Sequence, residues 1–335
     1  MKDRSIQIIR VCAMISIVLY HCVCYYGVWG NWFPTEVKYK HLSLWFGLCS
    51  IALTSFVLIS GMLYGSYLSS YMGGGKLNLI QRKFNRLTIP YLIWGLFILL
   101  ILPDLSDFWA LISGIHHLWF LLMMTVLFAT VIALGRKLLS LHTLLALFIL
   151  FYIADYATRK YLFAVPNYIA WKNSIHYMPA FLCGIATSAY NLSERLSKLR
   201  TWIFNTSTII TTLLIITFSL PIAIPGKFIY ENLVIYIWLI LIYTLLRHRI
   251  KINSENKIIK SLDRHSMSIY IVHHIIIWVT LVYIPPVIPF MEQHYFVAPI
   301  ILFTIIFTIS WGIATLSSKN KYSNYLLTGK INRKP

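Results

Sequence analysis

An all-α polytopic membrane bundle is the fold class the sequence predicts, and three observations predict it. The first is composition. Of 335 residues, 59% are hydrophobic and only 12% are charged, where a soluble domain carries about 25% charged residues. The second is segmentation. Apolar runs of spanning length recur along the chain, and roughly 20 apolar residues are enough to cross a ~30 Å hydrocarbon core. The third is where the charge falls. The net charge is +19, but the basic residues sit in the loops between apolar runs. That is the pattern of membrane orientation rather than of nucleic-acid binding, and no nucleic-acid partner is expected.

Ten spans are read, at 6–27, 42–66, 87–103, 117–135, 142–157, 173–190, 203–220, 229–247, 266–284 and 297–316. One set of loops, with both termini, holds 23 of the 29 Lys and Arg residues. The other set holds six: Lys38, Lys40, Arg159, Lys160, Lys172 and Lys227. The asymmetry places both termini in the cytoplasm, and an even number of spans agrees. The first run is longer than the apolar core of a signal peptide, and no small-residue cleavage site follows it, so it is read as a retained span.

The first span carries Arg10 and His21, and ionisable residues inside a membrane are costly and usually functional. Eleven residues is about three helical turns, so both side chains leave one face, roughly 16 Å apart along the axis. A snorkelling Arg or a packed His accounts for either residue alone. Taken together they mark a polar track. The second span ends in Ser55-Phe56-Val57-Leu58-Ile59-Ser60-Gly61-Met62, whose small residues permit close helix packing. The Gly73-Gly74-Gly75-Lys76 loop lacks the flanking pattern of a phosphate-binding loop and reads as a turn.

Arg82-Lys83-Phe84-Asn85-Arg86 leads into the third span. Arg82 and Arg86, four apart, share a helix face. They serve as a positive-inside anchor or as a cytoplasmic anion site. His116-His117-Leu118-Trp119 opens the fourth span at the outer surface, with Trp119 suited to an interfacial belt. The sixth span carries His176-Tyr177-Met178-Pro179, and the ninth carries Ser268 to His274 with two more histidines. Asp155 and Glu231 lie near outer span ends, placed to orient a histidine. The five cysteines fall in apolar stretches. Cys22 and Cys24, two apart on a helix, diverge and make a poor metal clamp, so no metal site is expected. The tail from about residue 317 is basic and polar, and suggests contact with the membrane surface only.

Five of these segments carry a resemblance. Arg10 and His21 stand at the spacing of the first-span Arg, ten residues, His motif of the acyltransferase family 3 membrane proteins. Ser55 to Met62 is similar to that family's Ser-Gly segment, with Leu58 and Ile59 where aromatic residues are common. Arg82 to Arg86 resembles its basic motif. His117-Leu118-Trp119-Phe120-Leu121 and Ser268 to His273 resemble its later histidine segments. The likeness covers essentially the whole chain, read as one transmembrane acyltransferase domain over 1–335 with its tail. It is nearest to the stand-alone glycan O-acetyltransferases.

The resemblance implies acetyl-CoA as the acyl donor and a hydroxyl of a cell-surface or lipid-linked glycan as acceptor. It also implies polysaccharide or O-antigen modification at a bacterial cytoplasmic membrane. His21 and Arg10 are the catalytic candidates, with His21 as general base or acyl carrier. Arg82, Lys83 and Arg86 are the donor-binding candidates. His117, Trp119, His273 and Glu231 are candidates for orienting groups or acceptor contacts. A transporter of a glycan, lipid-linked sugar or organic acid is the competing class, since intramembrane Arg and His also line transport pathways.

Overall fold

The computed structural model describes residues 3–24, 42–70, 76–101, 109–219, 227–250, 256–284, 286–294 and 297–330. Lys38, Lys40 and the Gly73–Gly75 turn lie outside the described residues. Every regular element described is helical, with no strand. In order they are α1 (Arg4–Cys24), α2 (Leu42–Ser70), α3 (Lys76–Ile101), α4 (Trp109–Ser113), α5 (Trp119–Leu134), α6 (Leu141–Tyr161) and α7 (Trp171–Ala189). Then come α8 (Leu192–Ser197), α9 (Thr201–Ser219), α10 (Lys227–Thr244), α11 (Lys257–Tyr283), α12 (Val287–Gln293), α13 (Ala298–Ser317) and α14 (Lys321–Thr328).

A long helix stands at each expected span. Among the described residues eight stretches are long and apolar enough to cross a membrane, and the chain is a multi-pass membrane protein. Of the long helices, α7 falls short of that mark. Its polar content is the reason: Lys172, Asn173, Ser174 and His176. The helix α11 is also polar in part, with Asp263, His265, His273 and His274. Burial permits it. In α7 ten residues are buried, so protein rather than lipid surrounds most of that helix. By contrast α9 buries only four, and Ile209, Ile210, Leu213 and Ile216 lie on its open surface. A face turned to lipid must be apolar, and a face turned inward need not be.

The chain divides into two compact units. The first comprises residues 1–56 and 193–316. Its core is a seam in which Val11, Met14, Val18 and Cys22 of α1 meet Leu262, Ile269, Ile277 and Leu281 of α11, joined by Leu302, Ile306 and Ala314 of α13. At the entry to α1, Asp3 accepts a 2.8 Å hydrogen bond from Tyr243 and pairs with Arg247 at 3.0 Å.

The second unit comprises residues 57–192 and 317–335. Here α3 packs on α5, and α7 packs on both α5 and α6. The stretch of α2 within this unit crosses α7 at Gly61 and Gly184. A Cβ at Gly184 would lie 2.0 Å from the Leu58 carbonyl oxygen, and one at Gly61 would lie 2.1 Å from that of Phe181. Both obstacles are backbone and cannot swing aside. Gly184→Val is therefore expected to cost more than the ~1–3 kcal/mol of ordinary overpacking. Yield of monodisperse protein and thermal midpoint in detergent check this, and a midpoint equal to wild type would remove the crossing from the fold.

The tail adds a contact that the sequence does not announce. It carries a docked helix. Its helix α14 packs on α3, where the Trp94 indole donates to the Leu326 carbonyl at 3.1 Å. Gly329 follows at φ 62°, so close to α3 that a Cβ would sit 1.6 Å from the Asn85 oxygen. The physical reason is local. The Asn320 side chain caps α14 by accepting from the amides of Tyr322 and Ser323, a glycine closes it in the left-handed region, and Leu327 and Thr328 are buried.

Candidate functional site

In the first unit the site begins with a matched spacing. Arg10 and His21 are eleven residues apart on α1. Asp263 and His273 are ten apart on α11. The Arg10 Nη2 lies 2.5 Å from the Asp263 Oδ1, and the Asp263 side chain is only 4% exposed. The His21 Nδ1 lies 2.8 Å from the His273 Nε2. Both pairs rise in the same order along the two helices, so α1 and α11 run parallel. First and ninth spans must do so when spans alternate across a membrane. The face predicted from the Arg10–His21 spacing is thus the face that α1 presents to α11.

The tautomers follow from the hydrogen bonds. The His273 Nδ1 sits 3.1 Å from the Ile269 carbonyl one turn back. A carbonyl only accepts, so Nδ1–H donates, and the Nε2 of the neutral His273 ring carries a lone pair. The His21 Nδ1–H then donates to that lone pair. This places the lone pair of the neutral His21 ring on its own Nε2. His273 therefore does for His21 what an orienting group does for a catalytic histidine: it fixes ring and tautomer and receives a stronger hydrogen bond when His21 gains a proton. The two rings stack with centroids 5.1 Å apart, and the His274 ring meets His21 edge-on at 5.3 Å. His273 is fully buried.

The Arg10 end carries a different chemistry. Its guanidinium is half-buried and anchored by one carboxylate. The Nε is enclosed and has no hydrogen-bond partner among the described residues. An anchored guanidinium with a donor left over is suited to an anionic or carbonyl oxygen.

In the second unit Arg82 and Arg86 are exposed on α3. Lys83 points elsewhere. Its ammonium stands 3.9 Å from the centre of the Phe128 ring, beside a cavity of about 270 Å³ lined by Ile80, Phe84, Leu87, Thr125, Phe128 and Ile132. The three basic residues proposed together from sequence thus divide into an outward arginine pair and an inward lysine. His117 is buried in the turn before α5, and Trp119 opens that helix with its ring 6.2 Å from Tyr177. Glu231 is half-buried on α10. Among the described residues no group of His, Cys, Asp and Glu gathers in the number that would hold a metal ion.

Asp263 is the site residue that sequence reasoning missed. The signal was present: an acid three residues before the expected ninth span and ten before a histidine, beside a first span with a base eleven before one. The carboxylate set against a histidine is Asp155, whose Oδ2 lies 2.9 Å from the His176 Nδ1.

A family model described as an acyltransferase domain matches residues 3–315. The chain belongs to acyltransferase family 3. The match covers all of α1 and α11, and ends before α14. No curated protein and no solved structure matches the chain. This membrane acyltransferase therefore brings a paired Arg–Asp and a paired His–His onto one helix seam.

Proposed function

We propose that the protein O-acylates a glycan, moving an acetyl group from acetyl-CoA to a sugar hydroxyl of a cell-surface or lipid-linked saccharide at a bacterial inner membrane. The observation that carries this is the His21–His273 pair, which leaves an oriented imidazole with its lone pair on Nε2. A hydroxyl is a poor nucleophile until a base takes its proton. In the direct route, the His21 Nε2 takes that proton as the sugar oxygen attacks the thioester carbon. The carbon–sulfur bond breaks, and the departing thiolate recovers the proton from His21. In the relay route, Nε2 first attacks the thioester carbon and the thiolate departs; the sugar hydroxyl then attacks the acetyl-imidazolium, the carbon–nitrogen bond breaks, and the hydroxyl proton taken up by the freed imidazole passes to the thiolate. Arg10, at the cytoplasmic end of α1, serves the donor.

Cell glycans compared by mass spectrometry, with and without the protein, test the reading. A mass gain of one acetyl group per modified sugar supports it. Unchanged glycans from cells that make folded protein oppose it.

Arg82 and Arg86 are assigned to the phosphates of the donor. Charge-assisted hydrogen bonds of this kind contribute roughly 1.5–3 kcal/mol each. Arg82→Ala with Arg86→Ala is expected to weaken acyl-CoA binding without harming membrane insertion. Lysine at both positions restores part of it, because it lacks the planar fork. Isothermal titration of purified protein checks this. Normal binding by a poorly inserted double variant would make the arginines determinants of topology instead.

A further inference from the structure

A histidine–carboxylate pair lies in the second unit, and the reading above gives it no work. The Asp155 side chain, 6% exposed, accepts from the Arg159 Nε at 3.2 Å through Oδ1 and meets the His176 Nδ1 at 2.9 Å through Oδ2. The Arg159 Nη2 also approaches that Nδ1, at 2.6 Å. The carboxylate decides the tautomer. An unprotonated Nδ1 would turn its lone pair toward Oδ2, whereas Nδ1–H donates to it. Arg159, half-exposed on a flexible stem, is the partner that adjusts. The lone pair of the neutral His176 ring then lies on Nε2. No hydrogen-bond partner holds that atom among the described residues, and it is not among the enclosed polar atoms. The imidazole keeps 17% of its surface open.

Aromatic rings and unusual backbone surround the pair. The His176 ring packs edge-on to Tyr177 at 4.6 Å, and Tyr177 lies 6.2 Å from Trp119 at 30°. Beside them the backbone takes conformations side chains avoid: His116 at φ 41°, Ile169 at 57° and Ala170 at 52°. For a β-branched residue such a φ is held only by surrounding structure, and strain of this kind gathers at binding sites. The pair also lies at the end of its unit opposite Lys83. On α5, Lys83 meets Phe128 near the C-terminal half, whereas Trp119 begins the helix. A carboxylate-oriented imidazole beside aromatic rings offers an acceptor for a hydroxyl and apolar faces for a ring.

We propose that His176, oriented by Asp155, is a hydroxyl-binding residue of a saccharide site walled by Tyr177 and Trp119. The assignment of the saccharide as acceptor rests on the O-acylation reading; the site itself does not. Two measurements on the full-length protein in detergent test it. In the wild type, diethyl pyrocarbonate acylates open imidazole nitrogens, and peptide mass spectrometry reads the modification at His176. Methyl glycosides of glucose, galactose, mannose, rhamnose and N-acetylglucosamine serve as probes. At least one is expected to slow modification of His176 threefold or more. Saturation-transfer NMR then compares wild type with His176→Asn, whose amide retains a donor to Asp155 but has nothing at the Nε2 position. That variant is expected to keep its thermal midpoint and lose tenfold or more in saccharide affinity. Protection by no glycoside, or His176→Asn binding as wild type does, overturns the site and leaves a clasp between α6 and α7. Protection in a preparation that acylates no saccharide would sustain the site and defeat the O-acylation reading instead.

Discussion

His21→Ala lowers acyl transfer by ~10²-fold or more, the usual scale for losing a general base, with donor binding and folding largely kept. The geometry makes the prediction sharper than loss on truncation. His21→Asn retains a side-chain donor at the Nδ1 position, so its hydrogen bond to the His273 Nε2 survives while the Nε2 lone pair is gone. His21→Gln keeps a polar group but cannot accept and return a proton. Both are expected to be as inactive as His21→Ala, and His21→Asn to be the best folded of the three. His273→Gln leaves an acceptor for the His21 Nδ1–H and is expected to be milder. The measurement is acetylated saccharide formed per monodisperse protein, with acyl-CoA binding in parallel. Near-normal transfer by a well-folded His21→Gln would remove His21 from the mechanism. An acetyl group found on His21 after brief exposure to acyl-CoA would select the relay route.

How far this site was legible depends on how each part is encoded. The helices were legible because a span needs a continuous apolar run, and such runs are visible along one dimension. The face bearing Arg10 and His21 was legible for a similar reason, since helical period converts spacing into direction. What the face meets is another matter. The His21–His273 contact joins residues 252 positions apart, and no period links the two helices. The same limit applies to Lys83. Its neighbours in sequence group it with Arg82 and Arg86, but a residue one position along a helix turns by about 100°. That rotation carries Lys83 off the arginine face and onto the Phe128 ring. The docking of the tail was not legible because its eight-residue helix has too few apolar residues to signal it. The contacts that hold it are a glycine turn, two capping amides and an indole reaching a carbonyl.

Asp263→Ala is expected to be among the most destabilising single changes in the first unit. Breaking a buried ion pair by removing one partner costs about 3–5 kcal/mol, because the other charge stays buried and uncompensated. Arg10 is partly open, at 26% side-chain exposure, and can turn toward water, so the lower end of that range applies. Replacing both partners separates anchoring from chemistry. Arg10→Leu with Asp263→Leu removes both charges together and extends the apolar seam formed by Val11, Met14 and Leu262. That double variant is expected to recover most of the stability lost in Asp263→Ala. It is also expected to transfer no acyl group, because the guanidinium assigned to the donor is gone. Exchanging the pair, as Arg10→Asp with Asp263→Arg, restores the attraction but moves the guanidinium to the other helix, and is expected to fold without activity. Thermal midpoints of the three variants, read beside transfer, separate the outcomes. Asp263→Ala as stable as wild type would show that Arg10 has no need of its partner. Activity in the exchanged variant would show that the seam requires a guanidinium but not its place on α1.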